Sequence, residues 1–262
     1  MIRVNLTRSM AMHDRPTITS RQNPLVKRLH EAIRTHRDEI VIEGPRQVAD
    51  AIAAGWTPLA VVTRGELDHR GDHALRSIPH AIRHTFAPDV FALVADARTP
   101  QDILALFERP RATVDDILPP SDSIAVALDA VQDPGNVGTI IRLVAAFDCT
   151  GVLLLPGCAD PLGPKAIRAS AGAVLNVPFA NVTAEELIEC GVPLLAAEGS
   201  GRPVDPPARG AVIVFGNEGV GPSERIVRAA SAIAIPMSSR VESLNVASSA
   251  AVLLARSYAL RH

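Results

Sequence analysis

The stretch Ala211-Val212-Ile213-Val214-Phe215-Gly216-Asn217-Glu218-Gly219-Val220-Gly221-Pro222-Ser223-Glu224 decides the fold class. Ala211–Phe215 is a short unbroken apolar run without polar alternation, so it reads as a strand buried on both faces. Three glycines follow at Gly216, Gly219 and Gly221, and a helical pattern begins after Pro222, over Ser223–Ala230. Strand, glycine-rich turn and helix form the repeating unit of a parallel sheet, and the pattern continues outward in both directions. Strands are expected at Ile124–Val131, Val152–Leu155, Pro193–Ala197 and Ala232–Ile235. Helices are expected at Val137–Phe147, Pro164–Ala171 and Ala184–Glu189, with a last one from Ser243 to Leu260. The fold class is therefore α/β, a parallel sheet with helices on both faces.

The front of the chain is a smaller α/β unit. Asn23-Pro24 opens a helix with Leu25, Leu29, Ala32 and Ile33 on one side and Lys27, Arg28, Arg34 and Arg37 on the other. Strands are expected at Glu39–Glu43 and Pro58–Thr63 around a helix Pro45–Ala54. Weaker strands at Ala81–Thr85 and Asp102–Phe107 flank a helix at Asp89–Asp96. Arg109 to Ser123, with three prolines and no clear period, reads as a linker. The division is then a basic flexible arm over 1–16, a first domain over 17–108, a linker over 109–122 and a second domain over 123–262.

Of the 262 residues, 47% are hydrophobic and 21% charged, which excludes a disordered or fibrous chain. The longest nearly apolar run, Leu244–Ala255, is short and broken by serines, so no membrane span is expected. Cys149, Cys158 and Cys190 form no CxxC pair, which argues against structural zinc or a disulfide scaffold and for the cytoplasm. Met1–Thr19 carries arginines without an apolar segment; a basic arm is the main reading and a transit peptide the lesser one. His69 and His73 are spaced i, i+4, but Gly71 interrupts them and no third ligand is near, so no metal is expected.

A net charge of −2 points away from nucleic acid, yet the charge is polarised. Residues 1–110 hold 15 Lys and Arg against 13 Asp and Glu, whereas residues 111–262 hold 11 against 15. The histidines are polarised too, with none between His84 and His262.

In parallel sheets ligands collect beyond the carboxyl ends of the strands, and three such loops stand out. The first, Gln132–Arg142, has glycines at a helix entrance but neither GxxxxGK[ST] nor GxGxxG, so neither a triphosphate nor a dinucleotide site is expected. The second is the stretch quoted at the outset, with Glu218 set among its glycines. The third, Ile235–Ala247, presents Ser243 as an N-cap with Asn245 in the first turn. Taken singly, each loop is equally an ordinary capped turn.

Taken together, NVGTIIR, GNEGVG and IPM…ESLNVASSAA resemble the three signature motifs of the SpoU (TrmH-like) RNA 2′-O-ribose methyltransferases of the SPOUT superfamily, and Arg168–Ala173 resembles the segment between the first two. The resemblance runs from Ile124 to the end. ITSRQNPLVKRL and IVIEGPRQVADAI resemble the L30e-like substrate-binding domain that precedes it in many members. It implies a trefoil knot, a homodimer through the knotted domain, and S-adenosylmethionine held in the knot. Carried over, the cofactor-binding positions are Gly216, Ile235 and Leu244, with Asn217, Glu218 and Asn245 beside them. The catalytic arginine falls on Arg142 and its polar helpers on Asn136, Glu218, Ser243 and Asn245.

The implied reaction is methyl transfer to a ribose 2′-hydroxyl, whose proton needs a base. The second half offers no histidine before the terminal His262, so Arg142, a carboxylate, a substrate phosphate or water must serve, unless a histidine comes from the other domain. A guanidinium stays protonated in proteins, which favours Arg142 as a clamp on the target phosphate. The first domain is expected to grip RNA through Arg21, Asn23, Lys27, Arg28, Arg34 and Arg46, and aromatic content of 3% argues for recognition of folded RNA by shape and backbone. Ribosomal RNA is favoured over transfer RNA. A non-catalytic RNA-binding or ribosome-assembly protein on the same fold is the alternative.

Overall fold

The computed structural model describes residues 16–65, 78–95, 101–199 and 209–262. The basic arm before residue 16, and His69 and His73, lie outside the described residues. The chain divides into two compact units, Met1–Arg109 and Pro110–His262.

In the first unit the helix Pro24–Thr35 precedes β1 (Glu39–Glu43) and the helix Pro45–Ala53. Then come β2 (Pro58–Arg64), β3 (Arg83–Phe86), the short helix Pro88–Phe91 and β4 (Ile103–Glu108). The sheet order is β1-β4-β2-β3, antiparallel except for the β2/β3 pair. Val26, Leu29 and Ala32, one face of the first helix, are buried with Val62, Phe86 and Leu106 of the sheet. That apolar spacing of three to four residues is what makes the segment helical here. The helix expected at Asp89–Asp96 is instead Pro88–Phe91, and β3 and β4 each begin later than expected.

The second unit holds a six-stranded sheet, order β10-β8-β9-β5-β6-β7, in which every neighbouring pair is parallel. Its strands are β5 (Ile124–Asp129), β6 (Val152–Leu154), β7 (Phe179–Asn181), β8 (Leu194–Ala197), β9 (Ala211–Gly216) and β10 (Ser231–Ile233). The central pair, β5 and β9, is buried along its whole length, as unbroken apolar runs require. Helices Pro134–Ala146, Pro164–Ala169, Ala184–Glu189 and Glu224–Ala229 alternate with the strands, and the helix Val246–Arg261 closes the chain.

Two expectations are corrected, and one strand was not foreseen. Residues 109–122 are more than a linker: Thr113 and Asp116 form a capping box for the helix Val114–Ile117, and Ile117 is fully buried in the core of the second unit. Proline content concealed this single turn. Ser243 is not the N-cap of the last helix; Asn245 is, its Oδ1 accepting from the amides of Ala247 (2.9 Å) and Ser248 (3.3 Å). The edge strand β7 escaped notice because three residues carry too little periodicity.

Among the described residues no helix is long and apolar enough to cross a membrane, and no group of three or more His, Cys, Asp or Glu is placed to hold a metal ion. Burial pushes the Cys149 thiol up to about 12, which leaves it unreactive.

Candidate active site

β5, β9 and β10 end on the same edge of the parallel sheet, and the loops that follow them converge there. After β9 the chain turns back on itself: Asn217 N–H donates to Gly221 O (3.0 Å) and Gly221 N–H to Asn217 O (2.9 Å). The Asn217 side chain locks the turn from inside, its Nδ2 donating to Ala130 O (3.0 Å) and its Oδ1 accepting from Gly219 N–H (2.9 Å). The buried Asp129, at the end of β5, accepts from Ser223 N–H at 2.7 Å and ties the far end of the turn to the sheet. Gly216 has no space for a side chain, since a Cβ there would lie 1.9 Å from Pro222 N and 2.0 Å from Gly221 C.

This turn projects Glu218 towards the first loop. Its carboxylate accepts from Asn136 Nδ2 (2.9 Å) and from the amides of Asp133 (3.3 Å) and Gln132 (3.4 Å). Asn136 Oδ1 in turn accepts from Asn245 Nδ2 (3.2 Å), while Asn245 Oδ1 caps the last helix. Three polar side chains from three loops, far apart in sequence, thus form one hydrogen-bonded chain in which each amide's orientation is set by its next partner.

Partial burial pushes the Glu218 carboxyl up, but the hydrogen bonds from Asn136 and the backbone amides outweigh it and hold the group below the usual carboxylate range. Glu218 is therefore charged at neutral pH, an acceptor that fixes Asn136. The sign of the linkage follows: stability from these bonds is full above the unfolded carboxyl's value and is lost as pH falls through the lower folded value. Asn136→Ala is expected to lower stability by about 1 kcal/mol at pH 7, and this difference should shrink below about pH 4 as the carboxylate protonates. Thermal unfolding of both proteins across that range checks it; a pH-independent difference would contradict the coupling.

Beside this chain lies a cavity of about 390 Å³ at the carboxyl ends of β8, β9 and β10. Gly216, Asn217, Glu218, Ile235 and Leu244 line it, as does Ser243. Asn245 does not; it reaches the site through Asn136. Arg142 also stands apart. It lies on the Asn136 helix, about 9 Å further along the axis, exposed and with no hydrogen-bond or ion-pair partner among the described residues. Two residues escaped the sequence reading: Asp129, hidden as the polar end of an apolar strand, and Glu198, just beyond β8, which lines the cavity.

The candidate RNA-binding side chains of the first unit are mostly engaged locally. Arg21 pairs with Asp89 (3.8 Å), Arg34 with Glu31 (2.8 Å), Arg46 with Asp50 (3.6 Å) and Arg28 with Glu39. Asn23 caps the first helix by accepting from Leu25 N–H at 2.9 Å. Lys27 alone of the six has no such partner among the described residues.

A model of the SpoU rRNA Methylase family matches residues 123–255. The chain belongs to this family. It is 29% identical to the 23S rRNA (guanosine(2553)-2'-O)-methyltransferase RlmP of Bacillus subtilis, over 87% of this chain and 92% of that one. It is 32% identical to an uncharacterized tRNA/rRNA methyltransferase of Mycobacterium bovis, over 81% of this chain and 78% of that one. Among solved structures, the AdoMet-bound rRNA methyltransferase of Sinorhizobium meliloti superposes with a TM-score of 0.80 at 28% identity, covering 94% of this chain and 98% of that one.

The cavity of this SpoU family member fits S-adenosylmethionine on its own features. Its volume is in the range of small-ligand sites. Phe215, Ile233, Leu244 and Leu253 supply apolar walls for a flat base, and the Gly216–Gly221 turn brings backbone to its edge. Glu198 Oε1 is buried with no hydrogen-bond partner among the described residues, an acceptor open to a ligand donor.

Proposed function

We propose that the chain is an S-adenosylmethionine-dependent methyltransferase that modifies a ribose 2′-hydroxyl in structured RNA, ribosomal RNA in the first instance. The observation that carries this reading is the Glu218–Asn136–Asn245 chain set beside the cavity in a SpoU family member. A protein that only bound RNA would have no use for a ligand cavity adjoining three interlocked polar side chains.

Bound in the cavity, S-adenosylmethionine supplies an activated methyl group. Gly216, Asn217, Ile235 and Leu244 would hold it, with Glu218 and Ser243 at the rim. Glu218 orients Asn136, and Asn136 with Asn245 presents amide groups to the incoming ribose. Arg142, with no neighbouring anion to neutralise it, clamps the target phosphate. The hydroxyl proton leaves to that phosphate or to water, since the bonded and acidified Glu218 is a weak base. Positioning then supplies much of the rate enhancement.

The first unit serves in this reading as an L30e-like RNA-binding domain, and the second dimerises through a trefoil-knotted fold in the cytoplasm. Exposed apolar side chains on the second unit, Val241, Leu244, Val252 and Leu260 among them, support burial against a second copy. Transfer of tritium from labelled S-adenosylmethionine to ribosomal RNA, with mapping of the 2′-O-methyl position, tests the reading. Equal transfer to transfer RNA overturns the ribosomal preference, and no transfer to any RNA overturns the enzyme.

The surface ion pairs of Arg28 and Arg34 are weak enough to exchange for phosphate. Replacing Lys27, Arg28 and Arg34 together by alanine should weaken RNA binding and reduce the slope of log affinity against log salt by about one to two. Lys27→Ala should account for the largest single share. An unchanged slope in filter binding would count against this helix as an RNA contact.

A further inference from the structure

Glu198 follows β8 directly, and its backbone is fixed there by its N–H donating to Ile233 O at 2.9 Å. The next residue runs close to the third loop: a Cβ on Gly199 would lie 3.3 Å from Glu242 O. The backbone is thus held against β10, and the Glu198 side chain contributes to the cavity wall. Its Oε1 is buried and accepts no hydrogen bond from any described residue. The cavity's other carboxylate, Glu218, already accepts three hydrogen bonds. Glu198 is therefore the carboxylate that a ligand in this cavity finds free.

An unpartnered buried carboxylate oxygen is unfavourable in the empty protein, so its place is best explained by a donor that arrives with the ligand. A carboxylate only accepts, so the ligand must bring O–H or N–H. At the carboxyl end of a strand in a parallel nucleotide-binding sheet, an acidic side chain matches the vicinal diol of a ribose.

We propose that Glu198 is a specificity-determining residue for the methyl donor, its carboxylate accepting a hydrogen bond from the 2′-hydroxyl of the donor's own ribose. This rests on the cavity being the S-adenosylmethionine site.

The test is calorimetric binding of S-adenosylhomocysteine and its 2′-deoxyadenosyl counterpart to the full-length wild type, Glu198→Gln and Glu198→Ala. Wild type should prefer the ribose form by roughly ten- to a hundredfold, the range of a hydrogen bond to a charged acceptor. Both variants should lose most of that preference while binding the deoxy form about as well as wild type does. Thermal unfolding without ligand should show Glu198→Gln about as stable as wild type, because no hydrogen bond to a described residue is lost at its buried Oε1. Undiminished discrimination in the variants, or a lower melting temperature with unchanged affinity, overturns the assignment. A wild type that binds neither compound overturns the cofactor reading itself, and this inference with it. Wild-type binding without ribose discrimination overturns the inference alone.

Discussion

Replacing Arg142 by alanine is expected to reduce methyl transfer at least a hundredfold while leaving affinity for S-adenosylhomocysteine within about twofold of wild type. The expectation comes from where Arg142 stands. It is outside the cavity, so cofactor binding has no need of it, and it is exposed without a partner among the described residues, so the fold has none either. An uncompensated guanidinium about 9 Å along the helix from Asn136, the middle member of the polar chain, suits a phosphate, which it grips through paired N–H donors. Arg142→Lys keeps the charge but loses the fork, and should fall between wild type and alanine. Single-turnover transfer from labelled cofactor, alongside calorimetry, separates the two quantities. Wild-type transfer by the alanine variant would remove Arg142 from the mechanism.

Gly216→Ala is expected to abolish cofactor binding and to lower stability by about 1–3 kcal/mol. The cause is space and not backbone freedom, since Gly216 is absent from the positive-φ residues. It is the last residue of β9, pairs in register with Asp129 of β5, and is buried. The added methyl would meet the backbone of Gly221 and Pro222 at about 2 Å, which side-chain rotation cannot relieve. The turn must open, breaking the mutual bonds of Asn217 and Gly221 and releasing Glu218 from Asn136. Calorimetry with S-adenosylhomocysteine and thermal unfolding both read this. By contrast, Gly219→Ala, whose Cβ would come no nearer than 3.5 Å to Asn217 Oδ1, should be tolerated in fold. Intact binding by Gly216→Ala would mean that the turn is not the cavity's wall.

How much was legible in advance depended on range. The strand β9 and its glycine turn could be read because burial on both faces leaves an unbroken apolar run. The cap of the last helix was misplaced by two residues because Ser243 and Asn245 are both good caps by composition. Asn245 wins because its amide also meets Asn136, a residue 109 positions away. The segment after Arg109 was read as a linker because its prolines mask a single capped turn, and Ile117 belongs to the core only through packing. The basic face of the first helix was visible as charge, but its pairing with Glu31 and Glu39 was not.

Local chemistry is what the sequence by itself determined: the long apolar strands and the amphipathic helices, the glycine turn after β9, and the three motifs that carry the resemblance. The tertiary structure decided how these parts meet. Glu218 is an ordinary acid in a glycine loop until β5 and β9 lie side by side and bring the amides of Gln132 and Asp133 and the side chain of Asn136 onto it. Glu198 is one charge among many until β8 and β10 pair and close the cavity around its unsatisfied oxygen. Hydrogen bonding and desolvation act through space over a few ångströms, and sequence separation does not encode that distance.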